Sequence, residues 1–111
     1  MCGITGYYLL GESLSVNKSR IDDFSLCLHK AKDSLSHRGP DDSGIFISPT
    51  NFLGLAHTRL SILDLSSAGH QPMSSDDDSV KIVFNGEIYN FNDLKNEIDS
   101  KEEHTWKGSS D

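Results

Sequence analysis

Residues 1–10, Met1-Cys2-Gly3-Ile4-Thr5-Gly6-Tyr7-Tyr8-Leu9-Leu10, set the reading of the chain. Ile4, Tyr8 and Leu10 fall on one side of an extended backbone and Tyr7 and Leu9 on the other, and branched and aromatic side chains suit a pleated surface, so residues 3–10 read as a buried strand. The strand begins one residue after a cysteine. Loss of the initiator Met1 makes Cys2 the first residue, with a thiol and a free α-amine on one Cα. An α-amine titrates at roughly 7.7–8.0, so near neutral pH it can accept the thiol proton, and the thiolate is the nucleophilic form of cysteine. Taken alone, Cys2 reads more simply as a small residue opening a strand. Only the remaining sequence reverses that preference.

Beyond Gly11-Glu12-Ser13, which reads as a turn, Asn17 or a neighbouring serine can cap a helix. Ile21, Phe24, Leu28, Ala31 and Leu35 alternate three and four apart, the signature of one apolar helix face over about five turns. His37-Arg38-Gly39-Pro40 should end it. Cys27 reads as helix core. Ile45–Ser48 and Phe52–Thr58 predict a β-hairpin across Pro49-Thr50-Asn51. Gly54 and Ala56 leave room for another element to pack closely. Residues 66–79 read as loop, with Asp76-Asp77-Asp78 a solvated turn. Val80–Phe84 reads as a third strong strand ending at Asn85-Gly86, a turn dipeptide. Asn90 or Asn92 can cap a shorter helix through Ile98, and Trp106 is the anchor of a polar tail. Tyr89 and Phe84 read as core.

The 111 residues suit one domain or part of one. Ten Lys and Arg are scattered singly through a chain of net charge −7, which argues against nucleic acid or an anionic membrane as partner. No apolar run approaches the roughly 20 residues of a membrane span, and no signal-peptide pattern follows Met1. Two cysteines imply no disulfide framework, and a reducing, cytoplasmic setting suits a Cys2 that must stay free. Small molecules or protein are the expected partners. His37, His57 and His70 share no metal-ligand spacing, and no metal is assigned.

Three segments hold residue types that packing alone does not select: His37-Arg38-Gly39-Pro40-Asp41-Asp42-Ser43-Gly44, Ala56-His57-Thr58-Arg59-Leu60-Ser61-Ile62, and Phe84-Asn85-Gly86-Glu87-Ile88-Tyr89-Asn90. Together with Cys2 and Gly69-His70-Gln71-Pro72-Met73, they strongly resemble the glutaminase domain of class II glutamine amidotransferases, in the branch of glutamine-dependent asparagine synthetase. The resemblance runs from Cys2 to Asp111 and is weak over 10–35 and 91–107. It implies an α+β fold of the N-terminal nucleophile hydrolase type, an αββα sandwich of antiparallel sheets, of which residues 1–111 form the N-terminal part with no second domain.

The resemblance also implies roles. Amide hydrolysis needs a strong nucleophile, a held oxyanion and a proton for departing ammonia. Cys2 is the expected nucleophile, and its α-amine, directly or through water, the base and later the acid. The Asn85 amide and the Gly86 N–H are expected to hold the oxyanion. Arg59 suits a two-pronged pair with the α-carboxylate of L-glutamine. Asp111 should take the α-ammonium, while Leu60, Ser61, Ile62, Leu63 and Glu87 line the pocket. His37 and Arg38 should fix the loop carrying Gly39-Pro40-Asp41 by hydrogen bonds, and His57 should brace the strand leading to Arg59.

Glutaminase domains of this family are longer than the present chain. The strands here should therefore lack apolar cover, making the isolated piece marginally stable, aggregating, or dimeric by strand exchange. No cofactor is expected in the chain itself. ATP and Mg belong to the synthetase domain that normally follows in the same longer chain and receives the ammonia, its acceptor being aspartate or a sugar-linked carboxylate. Two other readings stand beside this one: a catalytically silent fragment, and an N-terminal nucleophile hydrolase acting on another amide.

Overall fold

The computed structural model describes residues 1–10, 18–62, 66–102 and 104–108. The turn at Gly11-Glu12-Ser13 and the cap at Asn17 lie outside them. Alternation of small and apolar residues makes β1 (Gly3–Tyr8), β2 (Asp42–Ile47) and β3 (Leu53–Arg59), which form one antiparallel sheet in the order β1-β3-β2. Gly3 pairs with Thr58 and Tyr8 with Leu53, while Asp42 pairs with Arg59 and Ile47 with Gly54. The predicted hairpin is therefore present. Ser48–Asn51 closes it with a hydrogen bond from Asn51 N–H to the Ser48 carbonyl, and Asn51 takes a φ of 60°, a backbone region asparagine tolerates.

Helix α1 (Lys18–Ser34) covers the sheet face bearing Gly3, Thr5, Tyr7, Gly54, Ala56 and Thr58. Its stripe of Phe24, Leu28 and Ala31 turns inward, with Leu35 continuing it just past the helix. Leu28 and Ala56 are the fully buried apolar side chains among the described residues. Gly54 permits the approach, since a Cβ there would lie 2.8 Å from Leu28. Burying a leucine contributes roughly 1.5–3 kcal/mol. Cys27 is exposed, correcting its reading as core: at 100° per residue it falls between the inward positions and faces water. The helix ends three residues before His37, and a 3₁₀ turn (Ser36–Arg38) carries the chain to Gly39. Gly39 lies against the backbone of β3, with φ −154°, so its role is close approach, and no left-handed turn is needed.

The opposite face of the sheet is covered in part. Ile4, Tyr8 and Leu10 are 42%, 67% and 87% exposed, so the strand expected to be buried is buried on one face only. A small antiparallel pair, β4 (Met73–Ser74) and β5 (Lys81–Ile82), joins this side, with Lys81 Nζ 5.0 Å from the Phe46 ring centre. The stretch 66–79 contains β4, and the strong strand expected over Val80–Phe84 pairs only at Lys81–Ile82. Its apolar residues find no full partner strand among the described residues, and Val80 and Ile82 stay exposed. Asp76-Asp77-Asp78 forms the intervening turn, where Asp77 accepts from Ser75 and Ser79, and these bonds lower its pKa to about 2.

Helix α2 (Phe91–Lys101) follows Asn90, which occupies the cap position without a side-chain cap bond, and runs three residues past Ile98. Trp106 docks on it, its indole N–H donating to Asp99 at 2.8 Å with Lys95 over its ring. The observed architecture is mixed helix and antiparallel sheet, and no helix among the described residues is long and apolar enough to cross a membrane.

Candidate active site

Register places the nucleophile. Because Gly3 pairs with Thr58, Cys2 arrives beside the end of the central strand β3. The Leu60 N–H donates to Cys2 Sγ at 3.4 Å, and the thiol reaches back toward the Leu60 carbonyl at 3.8 Å. Gly3 allows this seating, since a Cβ there would lie 2.6 Å from Thr58 Oγ1.

Arg59, the last residue of β3, is 9% exposed, and its Nη1 donates to the Ser66 carbonyl at 2.7 Å. Asp41 binds on either side of Leu60: its N–H donates to the Arg59 carbonyl at 3.0 Å, and its Oδ2 accepts from the Ser61 N–H at 2.7 Å. The strand end that seats the sulfur is thereby held from two directions. Asp42 pairs with His70 Nδ1 at 2.7 Å. Burial raises the Asp42 pKa, but the bonds from His70 and the Ser43 N–H, with the nearby charges of His70 and Arg59, outweigh it and leave the carboxyl below its usual range.

These elements wall a cavity of about 390 Å³, a size suited to a small ligand. One wall is Cys2 with Arg59, Leu60, Ser61 and Ile62; the other is Asn85, Gly86 and Glu87; Gly69, Gln71, Met73, Phe84 and Tyr89 complete it, and Met1 stands at its edge. Eight residues expected at the site from sequence thus share one cavity. Leu63 and Asp111 lie outside the described residues. Gly86 packs against Phe84, whose ring a Cβ would meet at 2.8 Å, so its small size serves the turn itself. Tyr89 is 92% exposed and not core, because α2 starts only at Phe91 and carries no element over it. Phe84 is half-buried.

His37 departs from its sequence reading; His57 does not. His37 Nδ1–H donates to the Ser34 carbonyl at 3.0 Å, finishing α1 rather than fixing the Gly39 loop. His57 is 1% exposed on the sheet face opposite α1, and among the described residues its ring makes no hydrogen bond of good geometry, so it supports β3 by packing. Burial lowers its pKa, an effect the Phe84 backbone opposes only in part, and the ring is neutral near pH 7. Sequence reasoning assigned no role to Asp41, Asp42 or Gln71. All three stand in motifs already singled out, but their contacts are tertiary.

Residues 1–111 match the family described as glutamine amidotransferase domain, and the chain belongs to that family. Among its relatives, asparagine synthetase (glutamine-hydrolyzing) 2 of Bacillus subtilis is 38% identical over 111 residues, covering 100% of this chain and 13% of the relative. Asparagine synthetase (glutamine-hydrolyzing) of Brassica oleracea is 36% identical, covering 95% of the chain and 16% of the relative. Amidase chry2 of Gibberella zeae is 38% identical over 84 residues, 76% of the chain and 12% of the relative. The chain spans between 12% and 21% of the length of the leading curated relatives. No solved structure matches it.

Proposed function

We propose that this chain performs the glutamine-hydrolysing half-reaction of an asparagine synthetase-like amidotransferase, yielding glutamate and ammonia through a thioester on Cys2. The observation that carries this reading is the one cavity walled by the Cys2 sulfur on its Leu60 N–H, by Arg59, and by the Asn85-Gly86 turn. With Met1 removed, the Cys2 α-amine takes the thiol proton, directly or through water, and the sulfur attacks the side-chain carbonyl carbon of glutamine. The displaced electron pair moves to oxygen, where the Asn85 amide and Gly86 N–H receive it. Collapse breaks the C–N bond as the α-ammonium returns its proton to nitrogen, and ammonia leaves a thioester. Water, deprotonated by the same amine, then cleaves that thioester, releasing glutamate and restoring the thiol.

Recognition falls to Arg59 for the α-carboxylate and to Asp111 for the α-ammonium, with Leu60–Leu63 and Glu87 as walls. The fold that fits is the αββα sandwich of N-terminal nucleophile hydrolases, supported by α1 on one sheet face and the β4–β5 pair on the other. Ammonia passes to a synthetase segment beyond this chain, to which ATP and Mg belong, as the far greater length of the relatives supports. A cytoplasmic setting keeps the thiol reduced. The exposed stripe of Ile4 and Tyr8 on β1, continued by Leu10 just past it, suits later strands of the domain or a homodimer. The relative named amidase favours a second reading, in which the amide hydrolysed is not that of glutamine. The test is ammonia release from glutamine by the full-length, Met1-processed protein. Cys2→Ala should reduce it to background, and an unchanged rate refutes the proposal.

A further inference from the structure

Residues 66–73 cross the sheet face opposite α1 and touch both walls of the cavity. At one end the Ser66 carbonyl holds Arg59, and Gly69 lies so near that a Cβ would stand 2.5 Å from Arg59 Cζ. In the middle, His70 pairs with Asp42, and the Gln71 carbonyl occupies the space that Gly44 leaves open. At the other end the Gln71 side-chain oxygen accepts from the Phe84 N–H at 2.6 Å. Ladder pairing in β5 stops at Ile82, so at Phe84 the glutamine side chain takes the place of a neighbouring strand. Asn85 and Gly86 come next.

We infer that Gln71 is a positioning residue for the Asn85-Gly86 donors. Its side-chain oxygen fixes the Phe84 backbone, and with it the distance of those donors from Cys2, while the same segment fixes Arg59 on the facing wall. The role rests on the glutaminase reading and adds to it a device that keeps the two walls in register. It follows from the geometry of oxyanion stabilisation: donors act only when held at hydrogen-bond distance from the position the oxyanion will occupy, and displacement of about 1 Å costs on the order of 10²-fold in rate.

The test compares Gln71→Met, which keeps length and loses the acceptor, with Gln71→Glu, which keeps an acceptor, in the full-length, Met1-processed protein. Gln71→Met should lower kcat about 10- to 100-fold with KM changed less than about threefold, and Gln71→Glu should recover most of that loss. The aldehyde analogue of glutamate, which adds to the thiol as a tetrahedral oxyanion, should bind Gln71→Met at least about tenfold more weakly while L-glutamate binds it unchanged. Amide exchange at Phe84 should speed in Gln71→Met and stay slow in Gln71→Glu, a readout independent of turnover. A parent that releases no ammonia overturns the glutaminase reading and this role with it. An active parent whose Gln71→Met variant keeps kcat within twofold, or loses aldehyde and glutamate binding equally, overturns the role of Gln71 alone.

Discussion

Gly69→Ala separates the site from the scaffold. A Cβ built on Gly69 would lie 2.5 Å from Arg59 Cζ, whereas non-bonded carbons sit best about 3.5–4.0 Å apart. The guanidinium must therefore retreat by about 1 Å. It is the far end of a flexible side chain and can do so, and Gly69 does not have the left-handed φ that would make alanine costly. Replacing such a glycine by alanine even lowers unfolded-state entropy, by about 0.4–1 kcal/mol. The fold should survive with Tm within a few degrees of the parent. If Arg59 grips the substrate carboxylate, a 1 Å retreat should lower kcat/KM about 10- to 100-fold, equivalent to about 1.4–2.7 kcal/mol. Most of the loss should fall on KM, because the carboxylate is held equally in ground and transition states. Steady-state ammonia release against glutamine concentration, with melting curves on the same samples, measures both. A KM within twofold of the parent at unchanged Tm would refute the reasoning, since the displacement would then have reached no substrate contact.

Gly39→Ala should behave oppositely: its Cβ would meet the Arg59 backbone nitrogen at 2.5 Å, backbone cannot swing aside, and a loss of roughly 1–3 kcal/mol should appear as a lower Tm. The buried neutral His57 gives an acid-sensitive stability term. Its folded pKa lies below the ordinary 6.5, so the unfolded chain binds the extra proton, and this stability is complete above about pH 6.5 and is lost as pH falls from there toward the folded pKa. Urea melts from pH 8 to 5 on parent and His57→Leu check it; a stability difference that does not change with pH counts against a neutral buried ring.

Local periodicity carried much of the fold. The three-and-four spacing of Phe24, Leu28, Ala31 and Leu35 places α1 on the sheet, and Pro49-Thr50-Asn51 marks the hairpin that delivers Arg59. What escaped was set by partners distant in sequence. Val80–Phe84 has the composition of a full strand, yet strand length is decided by the neighbour, and Met73–Ser74 pairs with only two residues of it. Tyr89 reads as core by composition, but burial needs an element above it. At the site, Cys2, Arg59 and Asn85 stand out because their chemistry exceeds what packing requires, and the structure gathers them around one cavity. Gln71 and Asp41 do not stand out, because an amide or carboxylate bonded to backbone looks in sequence like any polar loop residue.

Arg59 and Leu60 are consecutive, and together they close β3, the central strand of the three-stranded sheet. The guanidinium and the amide under the sulfur thus share one rigid mount. Displacement of that strand end moves both attachment points together. The freedom that remains lies in the arginine's own side chain, and residues 66–73, through the Ser66 carbonyl and Gly69, are what confine it.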